Sequence, residues 1–265
     1  MEFASLGSGS EGNALVIRQG PGPGGVGAIG RERFLLLDCG FGLKEATARM
    51  ARLGLQPDNL AGILVTHEHS DHVGGVFRLA RRTGAPIFIT SGTLRGCQVP
   101  DACRSLIRVI DAHTAFDWCD WRIEPFPVPH DAHEPVQYVI DDGRSRLGVL
   151  TDLGHPTPHL SQALCRLDAL VLETNHDAGL LASSHYPPSL RARISGRYGH
   201  LENQDAAEIL RSLDAARLQV VVAAHLSRHN NRAELAQKAL SEVLGWRAQE
   251  VKVADQDQGL DWVAC

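Results

Sequence analysis

One short segment constrains the fold of this chain more than any other. The apolar run Leu60–Val65, bounded in front by Asp58-Asn59, ends directly on Thr66-His67-Glu68-His69-Ser70-Asp71-His72. The run reads as a buried strand, and Val73–Arg82 has helical spacing, so the histidines fall where a strand ends and a helix begins. In the extended part His67 and His69 are two apart and share a side; Asp71 and His72 follow in the tight turn and first helical residues and aim elsewhere. One segment can therefore serve two adjacent metals. The plainer alternative is a surface loop whose Glu68 and Asp71 favour the positive end of the next helix. Against it stands the crowding itself, because buried imidazoles and carboxylates need partners.

The rest of the chain alternates strands and helices without a long repeat. Glu2–Leu6 and Ala14–Arg18 read as strands joined by the small-residue loop Gly7–Asn13. That loop suits close approach to a substrate, with Ser10 and Asn13 as candidate contacts, and equally suits a plain tight turn. Gly20–Gly30, rich in Gly and Pro, reads as a mobile connection. Further strands are expected at Phe34–Leu37, Pro86–Thr90, Trp121–Val128, Val136–Asp141, Arg146–Leu150, Ala169–Glu173, Leu218–Ala223 and Glu250–Ala254. Helices are expected at Leu43–Leu53, Pro158–Arg166, after Pro187-Pro188, at Gln204–Leu213 and at Ala233–Leu244. His67, His69, Asp71, His72, His130, Asp152, His176, His200 and His225 all fall just beyond an apolar strand or in a connecting loop, the edge where sites assemble in layered α/β folds.

Composition narrows the partners. The chain of 265 residues carries a net charge of −5, so a polyanion has to be met by a local patch. Nearly all the basic residues are Arg, which fits phosphate-reading forks and equally fits a compositional bias. The densest positive runs are Arg78, Arg81 and Arg82, and Arg191, Arg193 and Arg197. Six cysteines show no C-x-x-C pair, which points to reduced thiols in a cytoplasmic protein. No leader-like start and no membrane-length apolar run is visible, so neither secretion nor membrane insertion is expected.

Taken together, His67-Glu68-His69-Ser70-Asp71-His72, then His130, Asp152 and His225 in order, resemble the metal-binding motifs of the metallo-β-lactamase superfamily. Asp38, after its apolar strand, resembles that superfamily's first motif. Ser8-Gly9-Ser10-Glu11-Gly12-Asn13, the run from Pro129 through Ala132, Thr151–Gly154, Glu173–Asp177, Gly199–Leu201 and His225–Asn231 resemble the bacterial WalJ/YycJ (VicX) exonuclease-like group. The resemblance implies an α/β fold of the four-layer αββα sandwich type, one metallohydrolase domain over residues 1–265, and a two-metal site at the sheet edge. It assigns His67, His69 and His130 to one metal, Asp71, His72 and His225 to the other, and Asp152 to both, with Asp38 and Glu173 supporting the ligands. It also implies hydrolysis of nucleic-acid phosphodiesters, DNA before RNA, with Asp71, Asp152 and His200 at the chemistry.

That ligand set holds nitrogen and oxygen donors and no thiolate, which suits Zn²⁺ first and Mn²⁺ as its rival. His200 is the expected proton donor to the leaving group, its alternative being a cap for the next helix. His176 is either a second substrate contact or a structural imidazole, and Arg191, Arg193 and Arg197 are expected to hold the substrate backbone. His133 is expected at the rim, and His113, His155, His159, His185 and His229 at the surface or behind the ligands. Where the tRNA-processing relatives carry His-Glu-Ala-Thr this chain has Leu172-Glu173-Thr174-Asn175, a departure that counts against that activity. The rival function is a small-molecule hydrolase of a cyclic phosphodiester, thioester or lactone on the same scaffold. A diiron redox centre needs a carboxylate where His69 stands.

Overall fold

Phe34 and Leu36 leave their strand on one side, Leu35 and Leu37 on the other, and all four are buried. Such a strand must be covered on both faces, and it is. In the computed structural model, which describes residues 1–20 and 33–265, the strands form two sheets of seven among the described residues. The first runs in the order β14 (Leu260–Ala264), β1 (Glu2–Gly7), β2 (Ala14–Arg18), β3 (Phe34–Leu37), β4 (Leu60–Leu64), β5 (Ile87–Thr90), β6 (Ile107–Ile110). The second runs β13 (Lys252–Val253), β12 (Val220–Ala224), β11 (Ala169–Glu173), β10 (Arg146–Leu150), β9 (Val136–Asp141), β8 (Trp121–Pro127), β7 (Phe116–Trp118).

The sheets face each other through Leu35, Leu37 and Leu64 on one side and Tyr138, Leu147, Val149 and Val171 on the other. Outside the first sheet, Leu36 and Ile63 meet Ala46 and Met50 of the helix Leu43–Arg52 and Leu79 of the helix Val76–Thr83. Outside the second, Leu170 and Leu172 meet Ile209 of the helix Asn203–Ser212 and Leu240 of the helix Ala233–Leu244. The order is helix, sheet, sheet, helix, the expected αββα sandwich.

β3 to β6 run parallel, as do β10 to β13, so the carboxyl ends of both parallel sets gather their following loops into one rim. A cross-sheet bond fixes the two halves there: the buried Tyr138 hydroxyl donates to the Val65 carbonyl at 2.7 Å, one residue before Thr66. Tyr138→Phe is expected to lower the unfolding free energy by about 1–2 kcal/mol. A urea titration checks it, with the midpoint shifted and the slope unchanged.

The sequence expectations depart from the structure mainly at the sheet edges. β6, β7 and β14 are unforeseen, and Glu250–Ala254 shrinks to β13 after a 3₁₀ turn at Ala248–Glu250. Each is an edge strand with polar residues interrupting its apolar pattern, such as Arg108, Asp117 and Asp261, because an edge needs covering on fewer sides. The helix expected over Val73–Arg82 is two helices, Ser70–Val73 and Val76–Thr83. The break is at Gly74-Gly75, where a Cβ on Gly75 would lie 1.9 Å from the Phe41 carbonyl oxygen. The helix expected to Arg166 stops at Ala163. Residues 21–32 of the Gly/Pro-rich connection lie outside the described residues.

Candidate metal centre and the cleft above it

Three strand ends deliver their site residues by the same backbone device. Asp38 follows β3, Asp152 lies two residues past β10 and His225 follows β12, with φ of 58°, 54° and 56°. This left-handed conformation is uncommon for residues with a Cβ and is best tolerated by Asn, Asp and His. It lets the chain leave the strand sharply, and its cost of about 1–3 kcal/mol at each position is borne by the surrounding packing. From β4 the chain runs through Thr66 and His67, bends at Glu68, and after the extended His69 coils into Ser70–Val73. Gly40 allows the neighbouring loop to close on that helix, since a Cβ there would lie 1.9 Å from the Asp71 carbonyl oxygen.

Five imidazoles converge, and in each the nitrogen turned away from the centre has a partner. His130 Nδ1 donates to the Gly199 carbonyl at 3.0 Å and His69 Nε2 to the Asp131 carbonyl at 3.2 Å. His72 Nδ1 donates to Asp38 Oδ2 at 2.8 Å and His225 Nδ1 to Glu173 Oε1 at 3.1 Å. Thr66 Oγ1 gives its proton to Asp38 Oδ2 at 2.7 Å and so accepts from His67 Nδ1 at 2.9 Å. The tautomers follow: Nε2 of His67, His72, His130 and His225 and Nδ1 of His69 face inward with free lone pairs, the arrangement that presents a ligand to a metal.

These inward atoms gather as two triads. Among the described residues, the ligand atoms of His67, His69 and His130 lie within 4.8 Å of one another, and so do those of Asp71, His72 and His225. Asp152 stands between them, Oδ2 3.0 Å from His72 Nε2 and Oδ1 3.9 Å from His130 Nε2. His67 Nε2, His225 Nε2 and Asp152 Oδ2 are buried with no hydrogen-bond partner among the described residues. Each such orphan costs about 1–3 kcal/mol, a penalty that coordination removes, so the residues fit a pair of divalent ions.

The electrostatics fit as well. Burial, reinforced by the His72 charge, holds His67 well below the usual imidazole range, and burial likewise lowers His130, so both stand neutral as ligands must. His72 and His225 are also desolvated, yet Asp152 and the neighbouring carboxylates outweigh burial; His72 is raised and His225 pushed up to about 10. Burial alone would raise Asp71, but the His225 and His72 imidazoles hold it well below the carboxylate range. The buried acids that raise His72 and His225 call for positive charge at this point, which divalent cations would supply.

The remaining sequence candidates divide. His200 Nδ1 lies 2.8 Å from Glu173 Oε1 and 3.4 Å from Asp152 Oδ1, and its ring borders an open cleft of about 380 Å³ together with Ser10, His69, Asp71, Asp152, Arg193 and His225. Glu173 Oε2 also accepts from the Leu153 N–H at 2.7 Å, so one buried carboxylate spans His200, His225 and the turn that carries Asp152. Asn13 is buried rather than open, its Nδ2 3.1 Å from His72 Nε2 and 3.4 Å from Asp71 Oδ2. Of the three arginines only Arg193 borders this cleft, with Nε 2.7 Å from Asp131 Oδ2. Arg191 reaches the Ala182 carbonyl, and Arg197 lies beyond the helix Pro188–Ile194. Of the three arginines expected to hold the substrate backbone, the structure therefore brings Arg193 to this cleft and places Arg191 and Arg197 elsewhere. His133 is largely exposed at the rim and bonds Glu68.

Thr66 and Asp131 have no assigned role in the sequence pattern, yet Thr66 links Asp38 to His67 and Asp131 lies between His69 and Arg193. Asp131 adjoins His130, which is the only signal in the sequence that marks it. Gly154 seats the loop carrying His200, because a Cβ there would lie 2.2 Å from the Arg197 carbonyl oxygen.

Two facing sheets, loops gathered at one rim and paired triads around Asp152 are the marks of the metallo-β-lactamase fold. Residues 33–226 match the model of the Beta-lactamase superfamily domain, and the chain belongs to that superfamily. Within it, the chain is 32% identical to exodeoxyribonuclease YycJ of Bacillus anthracis over 92% of this chain and 89% of that one. It is 30% identical to exodeoxyribonuclease WalJ of Streptococcus pneumoniae over 89% of this chain and 85% of that one. Among solved structures, the metallo-β-lactamase-fold protein YhfI of Bacillus subtilis superposes with a TM-score of 0.73, covering 99% of this chain and 98% of that one at 15% identity.

Proposed function

We propose that this chain is a dinuclear metal-dependent phosphodiesterase that removes nucleotides from the ends of nucleic acid, DNA before RNA, in the 5′-to-3′ direction. The observation that carries the reading is the pair of triads sharing Asp152, each imidazole held in the tautomer that leaves its inward nitrogen free. The choice of nucleic acid is supported by the similarity to the two exodeoxyribonucleases. His67, His69, His130 and Asp152 would hold one ion, and Asp71, His72, His225 and Asp152 the other, Zn²⁺ first and Mn²⁺ as the alternative. Such a pair activates water near neutral pH and stabilises charge on the attacking and leaving oxygens.

The chain's own groups do the rest. Asp38, Thr66, Glu173 and the Asp131 and Gly199 carbonyls orient the ligands. Glu173 turns His200 so that Nδ1 is occupied and Nε2 is left to protonate the departing oxygen. Arg193, at the mouth of the cleft, meets the substrate backbone, while Ser10 is free to contact it. Among the described residues no helix is long and apolar enough to cross a membrane, and all six cysteines are unpaired, which supports a reducing, cytoplasmic setting.

The direct test is to incubate the metal-loaded protein with end-labelled single- and double-stranded DNA and RNA and resolve the products. Mononucleotides released in order from DNA 5′ ends are expected. Inert nucleic acids beside rapid hydrolysis of a cyclic phosphodiester, thioester or lactone would overturn the reading in favour of a small-molecule hydrolase. Arg193→Ala is expected to weaken DNA binding and reduce the slope of log affinity against log salt by about 0.7–0.9, the share of one phosphate contact. Arg197→Ala should leave the slope alone, and fluorescence-anisotropy titrations at several salt concentrations check both.

A further inference from the structure

The helix Pro188–Ile194 has a cleft on each of two faces. Leu190, Arg193 and Ile194 border the metal cleft, whereas Pro188, Arg191, Ala192 and Ser195 border a second one of about 510 Å³. That volume lies in the range of small-ligand pockets. His200 borders both, so whatever sits in the second cleft is one side chain away from the candidate metal centre.

The lining of the second cleft is specific about its occupant. His176 is only 2% exposed, and its Nδ1 is shielded from solvent with no hydrogen-bond partner among the described residues. Burial lowers its pKa to about 4, so the ring stands neutral at the wall of the cleft and offers a phosphate no charge. Glu202 and Asp205 add two carboxylates that form no ion pair among the described residues, against the single cation of Arg191. Glu202 already accepts the Gln204 N–H at 2.8 Å, which leaves Asp205 as the open acceptor. Such a wall repels phosphate and accepts hydroxyl, amino and ring N–H groups. The same cleft is lined by Ala178, Leu181 and Ala182, an apolar surface for a flat ring.

We infer that this second cleft is a binding site for the terminal nucleoside of a nucleic-acid strand, and that it accepts an end bearing a free hydroxyl in preference to one bearing a phosphate. The inference rests on the nuclease reading for its place in catalysis, and it is independent of that reading for the ligand it names. A strand with its scissile phosphate at the triads passes His200 and sets its last sugar and base against His176 and Asp205; water adds to phosphorus and the 5′ oxygen of the shortened strand leaves with a proton, so that a nucleoside 3′-phosphate is released and the new end again bears the hydroxyl this cleft accepts.

Two measurements test it on the full chain. Thymidine and deoxyadenosine are titrated by saturation-transfer NMR against the wild type and Ala192→Trp, whose indole fills the second cleft from an exposed helical position; a thermal melt verifies folding. Nucleoside binding to the wild type and its loss in Ala192→Trp are expected, with hydrolysis of bis-nitrophenyl phosphate unchanged. In the second measurement, oligonucleotides with hydroxyl or phosphate ends are compared. The wild type should prefer hydroxyl ends by at least about tenfold, since like charges brought together cost several kcal/mol, and Asp205→Lys should reverse that order. Equal nucleoside binding by wild type and Ala192→Trp, or no binding to either, overturns the site, and equal cutting of both ends by the wild type overturns the stated preference. If nucleoside binding is lost in Ala192→Trp but the wild type cuts no nucleic acid, the site stands and the nuclease reading falls.

Discussion

Asp152→Ala is expected to empty both halves of the metal centre. The carboxylate lies 3.0 Å from His72 Nε2 on one side and 3.9 Å from His130 Nε2 on the other, and Oδ2 has no hydrogen bond to keep it from a cation. Outer-shell changes typically cost about 10–100-fold in metal affinity, and a shared inner carboxylate should cost more at each site. Alanine also adds strain at a φ of 54°, so Asp152→Asn, which tolerates that conformation and removes only the charge, separates lost ligation from lost folding. Elemental analysis after dialysis checks both variants. Two ions retained per chain in either would sink the bridging role, whatever happened to activity.

His200→Ala should leave metal content intact and slow DNA hydrolysis by roughly 10²–10⁴-fold, the usual worth of a positioned acid. Its ring is held by Glu173 at 2.8 Å and is not needed to complete either triad. A nitrophenolate departs without a proton, so the loss on bis-nitrophenyl phosphate should be much smaller. An equal loss on both substrates would mean that His200 only positions the strand. Glu173→Gln should behave differently, disturbing His225 as well as His200 and lowering metal content along with rate.

The element order and the residues that converge at the rim were largely legible in the sequence. Doubly covered strands such as β3, β4, β10, β11 and β12 announce themselves because both of their faces must be apolar. Edge strands such as β6 and β14 are covered less, carry Arg108 or Asp261, and look like loops. The metal candidates were visible because imidazoles and carboxylates placed just beyond apolar strands have few other reasons to be there. The separate placement of the arginines was not legible, since composition cannot say that the helix ends at Ile194 and leaves Arg197 outside the cleft that Arg193 borders.

Spacing and residue type alone determined that His67, His69, Asp71 and His72 leave one strand end in two directions, and the resemblance carried by those motifs implied the αββα sandwich that holds them. Only the tertiary structure decided which distant groups complete the site. Glu173 reaches both His200 and His225, Thr66 passes the Asp38 charge on to His67, and Asp38, Asp152 and His225 turn into the site through left-handed backbone. The reason is physical: hydrophobic periodicity is local and repeats along the chain, whereas tautomers, shared carboxylates and strained strand ends depend on which loops the closing of two sheets brings within about 3 Å of one another.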